Sequence, residues 1–182
     1  MKTFKNRPNL PKKLEDGGVI WDSRSVAVVA SVVVKAMDGD LYILAGKRGK
    51  GSFDHAGEWN LPCGYLDWDE NGTEAVIREV YEETGLDLTK YISEYSLLCN
   101  NLKEPWFVNT SPKENRQNVA LRYGCIISSS ELPELTTEHS EQDEVEELQW
   151  IHQDEIDNYT WAFNHDDVIK IYLDKVGYVQ MI

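Results

Sequence analysis

Strand-like and helix-like segments are interspersed along this chain of 182 residues, with a hairpin among them, and that order predicts an α+β or α/β layered domain on a mixed sheet. Three observations carry the prediction. The run VAVVASVVVK at 26–35 is continuously apolar and β-branched, the mark of a strand buried on both faces. The stretch 74–84 lies between helix-capping residues, and 166–176 has the spacing of a closing amphipathic helix. The length suits a single domain spanning 1–182.

Taken in order, residues 1–20 are rich in Lys, Pro and Gly and read as an arm or a first edge strand. After the strand at 26–35, Met37-Asp38-Gly39-Asp40 supplies an Asp-Gly turn, and 41–45 returns as its hairpin partner. Residues 46–58 form a polar, Gly-rich loop. Asn71 and Glu74 have the spacing of a capping box for the helix at 74–84, and Gly85 is its stop. Strands are expected at 95–100 and 118–128, flanking a long loop at 101–117. Residues 146–151 alternate into a further strand before the last helix.

Charge excludes several functions. The chain has 18 Lys+Arg against 32 Asp+Glu, a formal charge of −14. Nucleic-acid affinity comes mostly from cations that neutralise phosphates, so nucleic acid is not the expected partner. An anionic membrane surface is disfavoured for the same reason. The longest mainly apolar run, 26–34, is too short to span a bilayer, and the N-terminus lacks the apolar core of a secretory signal. Cys63, Cys99 and Cys125 are scattered, with no CxxC pair, which reads as reduced thiols in a cytoplasmic protein. Acidic groups crowd the last third of the chain. Most suit a solvated surface, and one or two are candidates to reach a metal site built elsewhere.

The chemistry concentrates in GYLDWDENGTEAVIREVYEETGL, residues 64–86. Glu79, Glu82 and Glu83 stand at i, i+3 and i+4, so a helix puts all three carboxylates on one face. Such like charges repel unless something compensates. A hard divalent cation does so naturally, because Mg²⁺ takes oxygen ligands and keeps waters for substrate phosphates. Arg78 is placed to orient one carboxylate with its planar fork. Glu70 arrives from the preceding loop, and Gly64 allows a tight turn whose Cys63 carbonyl is a further oxygen donor.

This segment resembles the Nudix box, G-x5-E-x7-R-E-U-x-E-E-x-G-U, at every specified position: Gly64, Glu70, Arg78, Glu79, Val80, Glu82, Glu83, Gly85 and Leu86. The lead-in Trp59, Leu61, Pro62 is similar to the family as well. The resemblance implies the Nudix fold, a mixed sheet sandwiched between helices (α/β/α). It also implies Mg²⁺- or Mn²⁺-dependent hydrolysis of a nucleoside diphosphate linked to another moiety. By position it makes Glu79, Glu82 and Glu83 metal ligands, with the Cys63 carbonyl as a further donor. Arg78 orients a glutamate and Glu70 supports the metal shell. The general base comes from the box or from a later loop, where Glu141, Asp143 and Glu144 are candidates. Two departures stand out: Cys63 where many members have Gly, and Asp69 where many have Gly before the first box glutamate.

Substrate signals are weaker. Lys47 and Arg48, with Lys50, follow the second strand and suit a grip on phosphates. Trp106 in the long loop, like Trp59, Trp68 and Phe107, suits stacking on a base, and Arg116 and Arg122 suit a phosphate or ribose. Ala162-Phe163-Asn164-His165-Asp166 resembles a segment of some ADP-ribose-directed Nudix proteins and their regulator relatives. ADP-ribose or a nucleotide sugar is therefore expected ahead of a nucleoside triphosphate. A non-catalytic nucleotide sensor is the alternative, which the intact carboxylate set disfavours, and a prenyl diphosphate isomerase is a third reading. The resemblance also allows a homodimer.

Overall fold

The computed structural model describes residues 10–22, 26–91, 102–110 and 118–179. Strands β1 (Leu10–Lys13) and β2 (Val19–Asp22) pair with each other in a separate two-stranded sheet. The first segment therefore forms its own hairpin instead of an edge of the main sheet. The expected strand at 95–100 lies outside the described residues.

The main sheet is built from β3 (Val26–Lys35), β4 (Leu41–Arg48), β5 (Trp59–Asn60), β6 (Cys63–Tyr65), β7 (Phe107–Asn109), β8 (Val119–Ser128) and β9 (Val145–His152). Its path is β5-β4-β3-β8-β7, with β6 added on β3 and β9 on β4. β3 and β8 run parallel in unbroken register from Val26 opposite Val119 to Lys35 opposite Ser128, while the other pairs are antiparallel, so the sheet is mixed. The parallel pair at the centre explains the apolar run of β3, since both of its faces are covered.

Alternate residues of β3 serve the two faces. Val28, Ala30, Val32 and Val34 pack with Ala75, Val76 and Val80 of helix α1 (Gly72–Thr84). Val29 and Val33 pack with Val168, Ile169, Tyr172 and Val176 of helix α2 (His165–Val179). Two helices thus sandwich the sheet, the α/β/α arrangement. Helix α1 begins where expected. The Asn71 side chain accepts from the Thr73 and Glu74 amides, and Glu74 accepts from the Asn71 amide at 3.0 Å, so three otherwise unpaired donors are satisfied. It ends at Gly85, whose φ of 71° is the left-handed stop. No helix of the described residues is long and apolar enough to cross a membrane.

Candidate active site

Arg78 is the hub. Its Nε donates to Glu70 Oε1 at 2.8 Å and one terminal nitrogen to Glu70 Oε2 at 2.9 Å, a bidentate fork. The other terminal nitrogen donates to Glu79 and Glu82, each at 2.8 Å, and the Tyr65 carbonyl accepts at 3.1 Å. The Glu70 side chain is fully buried, and its Oε2 also accepts from the Asp67 amide at 2.9 Å. One guanidinium thus ties the loop, the β6 backbone and the carboxylate face of α1 together. Burial works against the Arg78 charge, but the carboxylates of Glu70, Glu79 and Glu82 more than offset it and hold its pKa above the ordinary value.

Glu79 and Glu83 are buried, while Glu82 stays half-exposed. Burial pushes the Glu79 carboxyl up to about 8 against the pull of Arg78. Burial, then repulsion from Glu79 and Glu144, pushes Glu83 well above the carboxylate range. Glu83 accepts from the Cys63 amide at 3.4 Å. Gly64 lies against the Glu79 carboxylate, so a Cβ there would displace the end of that side chain from its place beside Arg78. The turn therefore lies directly on the carboxylate. Cys63 itself is a half-buried thiol with its pKa pushed up to about 12 by burial and then by Glu83, which leaves it protonated.

A second acidic element converges on this one. Glu144 comes from the loop before β9, and its charge bears on Glu79 and Glu83. Burial, then Glu141, raises its own pKa. The loop is clamped from below: Gly49 donates its amide to the Glu144 carbonyl at 2.7 Å and Gly51 to the Asp143 carbonyl at 2.8 Å. A Cβ on Gly49 would stand 2.2 Å from that Asp143 oxygen. Glu141 and Asp143 are exposed, so of the three loop candidates Glu144 is the one brought to the cluster.

The donor set is all oxygen, and its carboxyl groups outnumber the single Arg78 guanidinium, so ionising all of them leaves negative charge that Arg78 does not neutralise. That chemistry fits a hard divalent cation. Among the described residues no three carboxylate, thiol or imidazole side chains form a ready-made cage. The site is a cluster of acidic side chains rather than a preformed coordination shell.

A cavity of about 300 Å³ opens beside Cys63 and Gly64, lined also by Arg48, Tyr65, Glu144 and Phe163. Arg48 reaches it from the end of β4, bonded to Asp54 through two donors at 3.1 Å and stacked over the Phe163 ring at 5.0 Å. Phe163 and Asn164 both have positive φ, 58° and 56°, a strained pair that turns the chain into α2. His165 is buried, and its Nδ1 accepts from the Leu61 amide at 3.0 Å.

Other expected substrate residues stand elsewhere. Lys47 does not line this cavity and faces Glu146, 3.7 Å away. Trp106 packs against Tyr172 of α2 with ring centroids 5.3 Å apart, also outside the cavity lining. Arg116 lies outside the described residues. The sequence did not single out Asp54, Tyr65, Asn109 and Asn118, which do line the cavity. The tell-tale pattern was present at 118, 120 and 122, alternate residues that share one strand face.

Residues 26–171 match the NUDIX domain family model. An RNA pyrophosphohydrolase of Bartonella tribocorum is 38% identical over 61 residues, 34% of this chain and 31% of that relative. The match thus spans about a third of the curated relative's length. The NUDIX domain of Shewanella oneidensis NrtR, complexed with ADP ribose, has a TM-score of 0.63 at 20% identity, covering 85% of this chain and 90% of that one. A bifunctional NMN adenylyltransferase/ADP ribose pyrophosphatase of Francisella tularensis, complexed with AMP and a Mn ion, has a TM-score of 0.61 at 22% identity, covering 84% and 42%. At such identities the two structures share the fold.

Proposed function

The chain belongs to the NUDIX family, and from that premise we propose that it hydrolyses the pyrophosphate bond of a nucleoside diphosphate linked to another moiety. ADP-ribose or a nucleotide sugar is the substrate class favoured over a nucleoside triphosphate. The observation that carries the reading is the carboxylate cluster: Glu79 and Glu83 buried beside the Cys63–Gly64 turn, Glu79 oriented by Arg78, Glu83 accepting from the Cys63 amide, and both joined by Glu144. A merely structural helix has no reason to bury two crowded carboxyl groups at the cost of driving them toward the protonated form. The ADP-ribose named with two structural neighbours supports the substrate class.

Glu79, Glu82 and Glu83, with the Cys63 carbonyl, would hold Mg²⁺ or Mn²⁺. The cation supplies charge neutralisation at the phosphates and a more acidic water. The chain does the rest. Arg78 holds Glu70, Glu79 and Glu82 in fixed directions. Arg48, steadied by Asp54, presents its guanidinium to a phosphate oxygen from the cavity wall. Glu144 takes the proton from the attacking water, and burial raises its affinity for that proton.

The test is product chromatography on ADP-ribose, nucleotide sugars, dinucleoside polyphosphates, NADH and nucleoside triphosphates with millimolar Mg²⁺. Cleavage of ADP-ribose or a nucleotide sugar, abolished by chelator and reduced by several orders of magnitude in Glu83→Gln, is the expected result. Near-normal turnover in a folded Glu83→Gln protein, with Glu79→Gln behaving the same, overturns the assignment. Silence across the panel, with ligand-induced thermal shifts intact, moves the reading to a nucleotide sensor.

A further inference from the structure

Arg122 is a charged cavity residue that the proposed chemistry does not use. The cavity floor is a small grid set by strand register. One row runs Cys63, Val29, Arg122, Phe107 across β6, β3, β8 and β7, and the next runs Tyr65, Ala27, Ala120, Asn109. Val29 and Ala120 belong to the α2 side of the sheet, so the residues in their rows that line the cavity rise from that face. Ala27 and Ala120 leave the room that larger side chains would fill. Adjacent strands lie ~4.8 Å apart, so Arg122 stands roughly 10 Å from the Cys63 turn, at the far end of the same floor.

Among the described residues the Arg122 guanidinium has no hydrogen bond and no carboxylate partner. The guanidinium lies over the Phe107 ring, 5.1 Å away and itself exposed. The other cavity arginine, Arg48, is already paired with Asp54. The absence is informative in a chain with 32 acidic residues, where a partner is easily supplied. A half-buried guanidinium carries a desolvation cost that burial alone makes worse, visible as a lowered pKa. Exposed cation–π contact returns little of it. A planar fork of donors in a cavity is matched by a phosphate or carboxylate.

We infer that this end of the cavity is a subsite for a second acidic group of the substrate, a phosphate or carboxylate carried about one sugar away from the pyrophosphate and received by Arg122. The inference rests on the hydrolase reading for the position of the pyrophosphate, and it narrows the substrate class to acid-bearing nucleoside diphosphate derivatives. It also makes a counter-intuitive demand. With a net charge of −14, an added negative charge on a ligand weakens binding unless a specific cation receives it.

Two matched pairs test it: ADP-ribose against ADP-ribose 2′-phosphate, and UDP-glucose against UDP-glucuronate. The acid lies on the nucleoside side in the first pair and on the sugar side in the second. Binding is measured by calorimetry on the metal-free full chain, so that nothing is hydrolysed. The expected result is that in one pair the acid-bearing member binds at least about tenfold tighter, the scale of one charge-assisted hydrogen-bond pair. Arg122→Gln abolishes that gap and leaves the member without the extra acid within about twofold, while Arg122→Lys keeps part of it. Equal or weaker binding of both members bearing the extra acid to the wild type overturns the inference, as does a gap that survives Arg122→Gln or no measurable binding of either such member at millimolar concentration. Because hydrolysis of ADP-ribose and UDP-glucose is scored separately, a failed subsite and a failed hydrolase assignment give different patterns.

Discussion

Arg78 is the residue whose loss the structure prices most clearly. Arg78→Met removes five donated hydrogen bonds while keeping much of the side-chain bulk. The contributions are unequal. The bond to Glu82 ends on a carboxylate with 46% of its side chain exposed, and is worth at most about 1 kcal/mol. Glu70 dominates: its side chain is 0% exposed, and without Arg78 only the Asp67 amide bond remains among the described residues. Leaving one partner of a buried pair uncompensated costs about 3–5 kcal/mol. For a chain of this length each kcal/mol moves Tm by roughly 2–4 °C, so a fall of about 10 °C is expected. The assay is urea unfolding of Arg78→Met, Glu70→Gln and the double variant as a cycle. A coupling of at least about 2 kcal/mol is expected, because Arg78→Met loses its severity once Glu70 is already neutral. Losses below about 1 kcal/mol with no coupling would refute the view that this fork organises the site.

Two further outcomes follow from the same geometry. Glu79 is protonated more readily in the folded chain, with its pKa near 8, than in the unfolded chain, and Glu83 and Glu144 shift the same way. The folded state therefore keeps protons that the unfolded state loses between about pH 4.5 and 8, and stability of the metal-free protein falls as pH rises through that window. Mg²⁺ at about 100 times its Kd adds about 2.7 kcal/mol and flattens the decline; a Tm that is level from about pH 5 to 8 without metal, or unmoved by Mg²⁺, contradicts it. Gly49→Ala drives a Cβ to within 2.2 Å of the Asp143 carbonyl, so the loop bearing Glu144 is displaced by about 1 Å, enough to cost about 10²-fold in kcat. Gly177→Ala, which meets nothing within 4 Å, is the control, and steady-state kinetics beside a melting curve separate displacement from unfolding.

What the sequence made legible is what short-range physics decides. The strand at 26–35 and the helix over 72–84 declare themselves through periodicity and through caps whose partners lie within four residues. The carboxylate face of α1 is legible for the same reason, since helical spacing alone aligns Glu79, Glu82 and Glu83. Long-range pairing is the part that stays hidden. β5 and β6 are two and three residues long, too short for any periodicity, and exist because β4 and β3 offer them edges. Lys47 and Arg48 look interchangeable in sequence, yet neighbours on a strand point to opposite faces, so one reaches the cavity and the other meets Glu146. Trp106 reads as a stacking residue until α2 places Tyr172 against it. Glu144 stands out from Glu141 and Asp143 only once Gly49 and Gly51 have pinned the loop. The carboxylates proposed to hold the cation are written on one helix, whereas the cavity that would choose the substrate is assembled from five strands, their loops and a helix start distant in sequence. Substitutions that alter substrate choice without touching turnover of a substrate lacking the extra acid are therefore to be sought at Arg122 and Asn109 on the strand floor and at Asn118 beside it, rather than on α1.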